Sequence, residues 1–314
     1  MSREMKHLFL LVFGVCGLPL LAQNYSSQDP AYAKNVELGF AAMTSGDCAS
    51  CLKHYREAFA ISEKSALSMT RAIACAFDCD EDEFVKTYLA KAVGLDWAVV
   101  EEVFQHNEEF KKYQATELAE MVMLQCVAQK KALGLDLELM AVLTRIQEED
   151  QLYRRGFGGS QNGLTEQELI AKMMEADARN LKEIIDILDS RGYPGRSRVG
   201  GRLNSTAWLV IQHADPATQE MYLPMMRDAA EQDEMPKSNL ALLIDRIRMH
   251  KNEKQIYGSQ VRREEGTGGW TLHPIENPDA VNVRRAEMGL APIEDYLKNW
   301  SLDWEKEKVR MKSE

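Results

Sequence analysis

From Asp29 onward the apolar residues recur at helical spacing, and few β-branched residues alternate as they would in strands. A chain so patterned folds into packed helices and little else. Asp29-Pro30 has the form of an N-cap with proline at the first helical position, opening a helix over 31–43 that ends at Ser45-Gly46. A second helix begins at Asp47 and sets Leu52, Tyr55, Ala58 and Phe59 on one face. A third covers 65–79, rich in Ala and Met, and a fourth covers 81–93 and stops at Gly94. Paired helices of about a dozen residues with short turns are the pattern of an α-solenoid.

Within that pattern, Gly46-Asp47 leading into 52–59 resembles the turn and second helix of a tetratricopeptide repeat, and 72–94 looks like the next repeat. The segment 103–110 is similar to the closing segment that follows such repeats in exported Bacteroidetes proteins. The resemblance covers residues 30–113 and lacks the repeat's usual early Trp and terminal Pro. It implies a concave surface for protein segments, and with about two units a packing or assembly role is equally open.

The cysteines add a geometric constraint. If the second and third helices form an antiparallel hairpin about Glu63-Lys64, Cys48 and Cys79 stand about equally far from the turn, and so do Cys51 and Cys75. Disulfides Cys48–Cys79 and Cys51–Cys75 follow, each contributing ~2–4 kcal/mol. Zinc held by the four thiols is the second reading, and redox chemistry at Cys48-Ala-Ser-Cys51 the third, since no strand precedes that motif. Cys126 is left unpaired, expected to lie buried among Met121, Met123 and Leu124.

The disulfide reading needs an oxidising compartment, and the chain's beginning supplies one. Arg3 and Lys6 precede an uncharged stretch from Leu8 to Ala22, the form of a bacterial secretory signal, with Gln23 as the first mature residue. The stretch is short of the ~20 apolar residues of a membrane span and is interrupted by Gly14, Gly17 and Pro19. Val15 before Cys16 is wrong for a lipoprotein. Nothing after residue 22 is long and apolar enough to span a bilayer. A formal charge of −11 argues against a nucleic-acid binder. The location expected is periplasmic or secreted.

The second half continues in helices, with a Gly-rich loop at 156–163, a capping box at Thr165 and Glu168, and a turn at Arg191-Gly192-Tyr193-Pro194-Gly195. Its order of polar motifs is Asp150-Gln151, Asp177-Ala178-Arg179-Asn180, Gly192-Tyr193-Pro194, Val199-Gly200, Gln212-His213-Ala214-Asp215, Asp245-Arg246, the segment 255–260 (Gln-Ile-Tyr-Gly-Ser-Gln) and Arg284-Arg285. In this order the segment from about Met140 to Leu297 resembles a bacterial domain family of uncharacterised function. Tyr193 and Ser259 stand where that family more often has Trp and Thr. The resemblance implies architecture and no activity.

Chemistry must therefore be sought in residue types. His213 ends an apolar helix as a candidate base, with Asp245 to orient it; Arg246 and Arg284 are candidate anion clamps; Tyr257 and Gln260 are candidates to complete a pocket. The alternative is that the same residues serve structure: His213 bonding a buried loop, Asp245 and Arg246 capping a helix, Tyr257 packing. The loop 191–202, with four Arg and four Gly, suggests a nest for phosphate or carboxylate, or else a solvated basic turn. His213-Ala214-Asp215 lacks a third ligand at metal spacing, so no metal or cofactor is expected, and no nucleotide or protease motif occurs.

The expected organisation is all-α: a signal peptide over 1–22, a short helical-repeat (α-solenoid) domain over 23–114, a second mostly helical domain over 115–300, and a surface helix or tail over 301–314. The leading function is a periplasmic binding or interaction protein with a polar pocket, its partner an unknown protein or envelope ligand. The alternatives are a cell-envelope hydrolase using His213 with Asp245, and a structural accessory.

Overall fold

The computed structural model of the chain describes residues 29–154, 165–264 and 268–313. The expected signal peptide with Cys16, its cleavage site and the loop 156–163 lie outside the described residues. The described chain is predominantly helical and forms two compact units that divide between Leu137 and Glu138. Among the described residues no helix is long and apolar enough to cross a membrane.

In the first unit, helices α1 (Pro30–Ser45), α2 (Cys48–Ile61), α3 (Ala66–Asp78), α4 (Asp82–His106) and α5 (Glu117–Ala132) pack consecutively, each chiefly on its sequence neighbours. Local chemistry sets the boundaries. Asp29, Asp47 and Ser65 each cap a helix with a side-chain oxygen, accepting from Ala31, Ser50 and Ser68 N–H respectively. The stop expected at Gly94 is a break within α4 at Asp96, whose extended backbone interrupts the helix and whose Oδ1 accepts from Val99 N–H at 3.0 Å to restart it.

Both cysteine pairs are disulfides, Cys48–Cys79 and Cys51–Cys75, with Cα separations of 5.8 and 6.2 Å, and they tie α2 antiparallel to α3. Cys126 is buried as expected, in a core cluster that Met121 packs against, while Met123 and Leu124 are exposed. Leu118, Val122 and Cys126 form the i, i+4 stripe that faces the core, whereas Leu124 is 70 % exposed. That stripe seats α5 on α4, so α5 goes with the first unit, where the boundary expected at 114 had put it with the second.

The second unit comprises α6 (Leu137–Arg154), α7 (Glu166–Arg191), α8 (Arg196–Leu203), α9 (Thr206–Ile211), α10 (Pro216–Glu231), α11 (Lys237–His250), a hairpin of β1 (Val261–Arg263) and β2 (Trp270–Leu272), α12 (Val281–Glu287), α13 (Ile293–Lys298) and α14 (Trp304–Ser313). The capping box of Thr165 with Glu168 opens α7, and Asp215 caps α10. The strands pair antiparallel with Val261 opposite Leu272. They were not foreseen, being only three residues each. Val261, Leu272, Ile275, Val281, Ile293 and Leu297 form one core cluster. Trp304 and Met311 are buried in the same cluster, so the expected surface helix or tail is a docked helix.

Candidate functional site

Asp245 and Arg246 are consecutive on α11 and both are buried. Adjacent helical residues point about 100° apart, so the two side chains serve different neighbours. Asp245 turns to the segment 255–260. Its Oδ1 accepts from the N–H groups of Ile256 (2.7 Å) and Tyr257 (3.0 Å), and its Oδ2 from Ser259 N–H (3.0 Å) and Ser259 Oγ–H (2.9 Å). Burial pushes this carboxyl above the usual carboxylate range, and the donors act against that shift. A ring of donors suits the ionised form, because a carboxyl proton would be set against an N–H. The dyad of Asp245 with His213 is not formed; Asp245 is a clamp on the loop.

The other candidates in this segment join the same clamp. Gln255 receives Gln260 N–H on Oε1 and donates from Nε2 to the carbonyls of Gln260 and His273. Gln260 Nε2 donates to Ser259 Oγ at 2.9 Å. Arg284, expected to hold an anion, donates Nε to Ile256 O and Nη2 to Glu276 O, at 2.9 and 2.7 Å. Arg285 Nη1 donates to Tyr257 O, and Tyr296 Oη–H to Ser259 O, both at 2.7 Å. Tyr257 contributes mainly its backbone. Gly258 sits at φ +69°, and a Cβ there would meet Ile275 Cδ1 and Ile293 Cδ1 at 2.7 Å, so both conformation and space oppose a side chain.

Arg246 turns the other way. Its Nη1 donates to Gln212 O at 2.7 Å, the carbonyl just before His213. The residue is 7 % exposed, and its Nη2 is buried with no hydrogen-bond partner. His213 is largely buried. Its imidazole is held well below the usual histidine range by burial first, then by the positive charges of Arg154 and Arg246. Arg154, at the end of α6, reaches Asp177 of α7 with Nη2 at 2.8 and 2.9 Å to the two oxygens and pairs with Asp150 at 3.2 Å. Asp150 is 1 % exposed, and burial pushes its carboxyl up to about 6 against the pull of Arg154 and of Gln151 Nε2–H. Four elements thus bring a neutral imidazole, two guanidinium groups and two carboxylates together.

Of the predicted residues, then, only His213 and Arg246 share this cluster; Asp245, Tyr257, Gln260 and Arg284 belong to the loop clamp. Asp150, Arg154 and Asp177 were missed as site residues. A signal for the first was present: Asp150 continues the buried stripe Leu139, Leu143, Ile146 of α6, with Arg154 one turn on.

A family model described as a family of unknown function (DUF6624) matches residues 135–305, more than half of the chain and nearly all of the second unit. The chain belongs to that family. No curated protein and no solved structure matches it.

Two further features of the DUF6624 region bear on binding. The Arg- and Gly-rich turn at 191–202 is neither an open nest nor merely solvated. The carboxylate of Glu234, from the α10–α11 connection, accepts from Ser197 N–H at 2.8 Å, at the start of α8, while Arg196 N–H donates to Glu234 O at 3.0 Å. Gly195 permits the approach, since a Cβ there would lie 2.6 Å from that of Glu234. The carboxylate met at the start of this turn is the protein's own. A cleft of about 300 Å³ opens between α6 and α7, lined by Glu138, Leu139, Val142, Asp186, Ile187, Ser190 and Arg191, and contains none of the cluster's residues. Among the described residues no group of three or more His, Cys, Asp or Glu is placed to hold a metal ion.

Proposed function

We propose that the protein is an extracytoplasmic binding protein whose second unit takes a small polar ligand at the cluster around His213. The observation that carries this reading is the convergence of His213, Arg154 and Arg246 from separate elements, with one arm of Arg246 unpartnered in the interior. Buried charges that serve only structure are ordinarily paired. The two disulfides and the uncharged leading segment 8–22 support a compartment outside the cytoplasm. In this reading the helices of the first unit, with their likeness to tetratricopeptide repeats, dock a protein partner. The hydrolase reading has no supporting observation, because Asp245 is occupied at the loop.

The test is a thermal-shift panel of neutral, cationic and anionic cell-envelope fragments and metabolites on the wild type and His213→Ala. A stabilisation seen in the wild type and lost in the variant supports a binding site at the cluster. No stabilisation by any member, with a strongly destabilised variant, makes the cluster structural and overturns the reading.

A further inference from the structure

The charges of the cluster do not balance evenly, and the imbalance has a location. Arg154 carries two carboxylates, Asp150 and Asp177. Arg246 is more deeply buried, yet its one hydrogen bond is to a neutral carbonyl, and among the described residues no carboxylate pairs with it. The nearby acids are engaged elsewhere: Asp245 on the same helix holds the 255–260 segment, and Asp215 at the start of α10 caps that helix through Ala217 N–H and Thr218 N–H. Two further titratable neighbours, His250 and Tyr296, bring no negative charge. His250 on α11 is depressed by burial and by Arg246, and the hydroxyl of Tyr296 on α13 donates to Ser259 O. A guanidinium taken out of water without a counter-charge is costly. Its geometry is suited to a carboxylate or phosphate oxygen.

Resting on the binding reading above, we infer that the ligand presents an oxyanion, carboxylate or phosphate, to Arg246 Nη2 with the His213 imidazole as its second contact. An anion at this point offsets the field that Arg154 and Arg246 impose on His213 and pairs directly with the imidazolium, which opposes burial, the larger cause of the depression, so the ring takes up a proton as the ligand binds and becomes a donor itself. Binding then strengthens as pH falls, by up to about tenfold per pH unit while His213 is neutral in the free protein and protonated in the complex.

The experiment uses sulfate, which stays fully ionised across the pH range, as the first probe, with phosphate and succinate as arms that separate phosphate-like from carboxylate-like ligands. Calorimetric titration and the ring ¹⁵N shifts of His213 are measured on the full mature chain, with His213→Gln to assign the signals. The expected result is saturable binding with the ring passing from neutral to imidazolium. Arg246→Met should keep or raise the melting temperature without anion while losing at least about tenfold in affinity. Anion binding that is unchanged in Arg246→Met, or a ring that stays neutral at saturation, overturns the inference. So does binding of only neutral or cationic members of the wider panel, which leaves the binding reading intact. No binding by any probe or panel member rejects both.

Discussion

Replacing Asp245 by Asn tests the division of labour on α11. The amide keeps one acceptor and nearly the same shape, but it turns the other oxygen into an NH₂ group. If Oδ2 is the one replaced, the N–H of Ser259, which donates to it at 3.0 Å, meets a donor, and the Ser259 hydroxyl must rotate. A hydrogen bond to a charged acceptor contributes about 1.5–3 kcal/mol. Losing one and weakening another, partly offset by no longer burying a charge, puts the cost at about 2–4 kcal/mol. For a domain of this size that lowers the midpoint by on the order of 10 °C. Tryptophan fluorescence reads the right unit, because Trp208, Trp270, Trp300 and Trp304 lie in it and Trp97 does not. Hydrogen exchange should accelerate at Ile256, Tyr257 and Ser259. A midpoint within 1 °C of wild type with unchanged protection would refute the clamp.

Three other outcomes are expected. Reducing the disulfides should lower the first unit's unfolding midpoint, the outer Cys48–Cys79 bridge contributing about 3–4 kcal/mol for its 31-residue separation and the nested bridge less; an unchanged midpoint after verified reduction would contradict this. Gly258→Ala should cost about 2–3 kcal/mol in chemical denaturation, because φ +69° and two isoleucine methyls oppose the new Cβ. Asp150→Asn should make the protein more acid-sensitive. With a folded pKa of about 6, above its unfolded value, Asp150 favours the fold at low pH, by up to about 3 kcal/mol, and loses that contribution as pH rises through 6. His213, depressed when folded, acts in the opposite sense, so its contribution is lost as pH falls below about 6.5. Denaturation measured between pH 7 and 4 should therefore show a steeper loss in the variant, and parallel curves would count against the assignment.

What was legible in the sequence was whatever local rules decide. Asp29-Pro30, Thr165 with Glu168 and the repeating apolar face each declare a helix within a few residues, and the structure forms those helices. The disulfide pairing was legible because a hairpin converts distance along the chain into height, placing Cys48 with Cys79 and Cys51 with Cys75. The direction of a buried polar side chain was not legible. No local rule says that Arg284 will bond three backbone carbonyls contributed by Ile256, Glu276 and Asn277, or that Glu234 will fill the turn at 195–197. Those contacts depend on which loops the tertiary fold brings alongside. The short strands escaped for a related reason, since three residues carry too little alternation to register.

The neighbours Asp245 and Arg246 show what separates a structural buried charge from a candidate for binding. Both sit on the same helix and both are desolvated, so burial and residue type do not distinguish them. Satisfaction does. Both oxygens of Asp245 are met by donors of the protein itself, all from the loop it holds. Arg246 meets one carbonyl and leaves the other arm buried and unpartnered near a histidine that burial first, and the same positive field second, keep neutral. A fold that needed only a cross-link from α11 to the end of α9 would be served by a neutral donor at lower desolvation cost. Keeping a full guanidinium there makes physical sense when a negative group arrives to meet it.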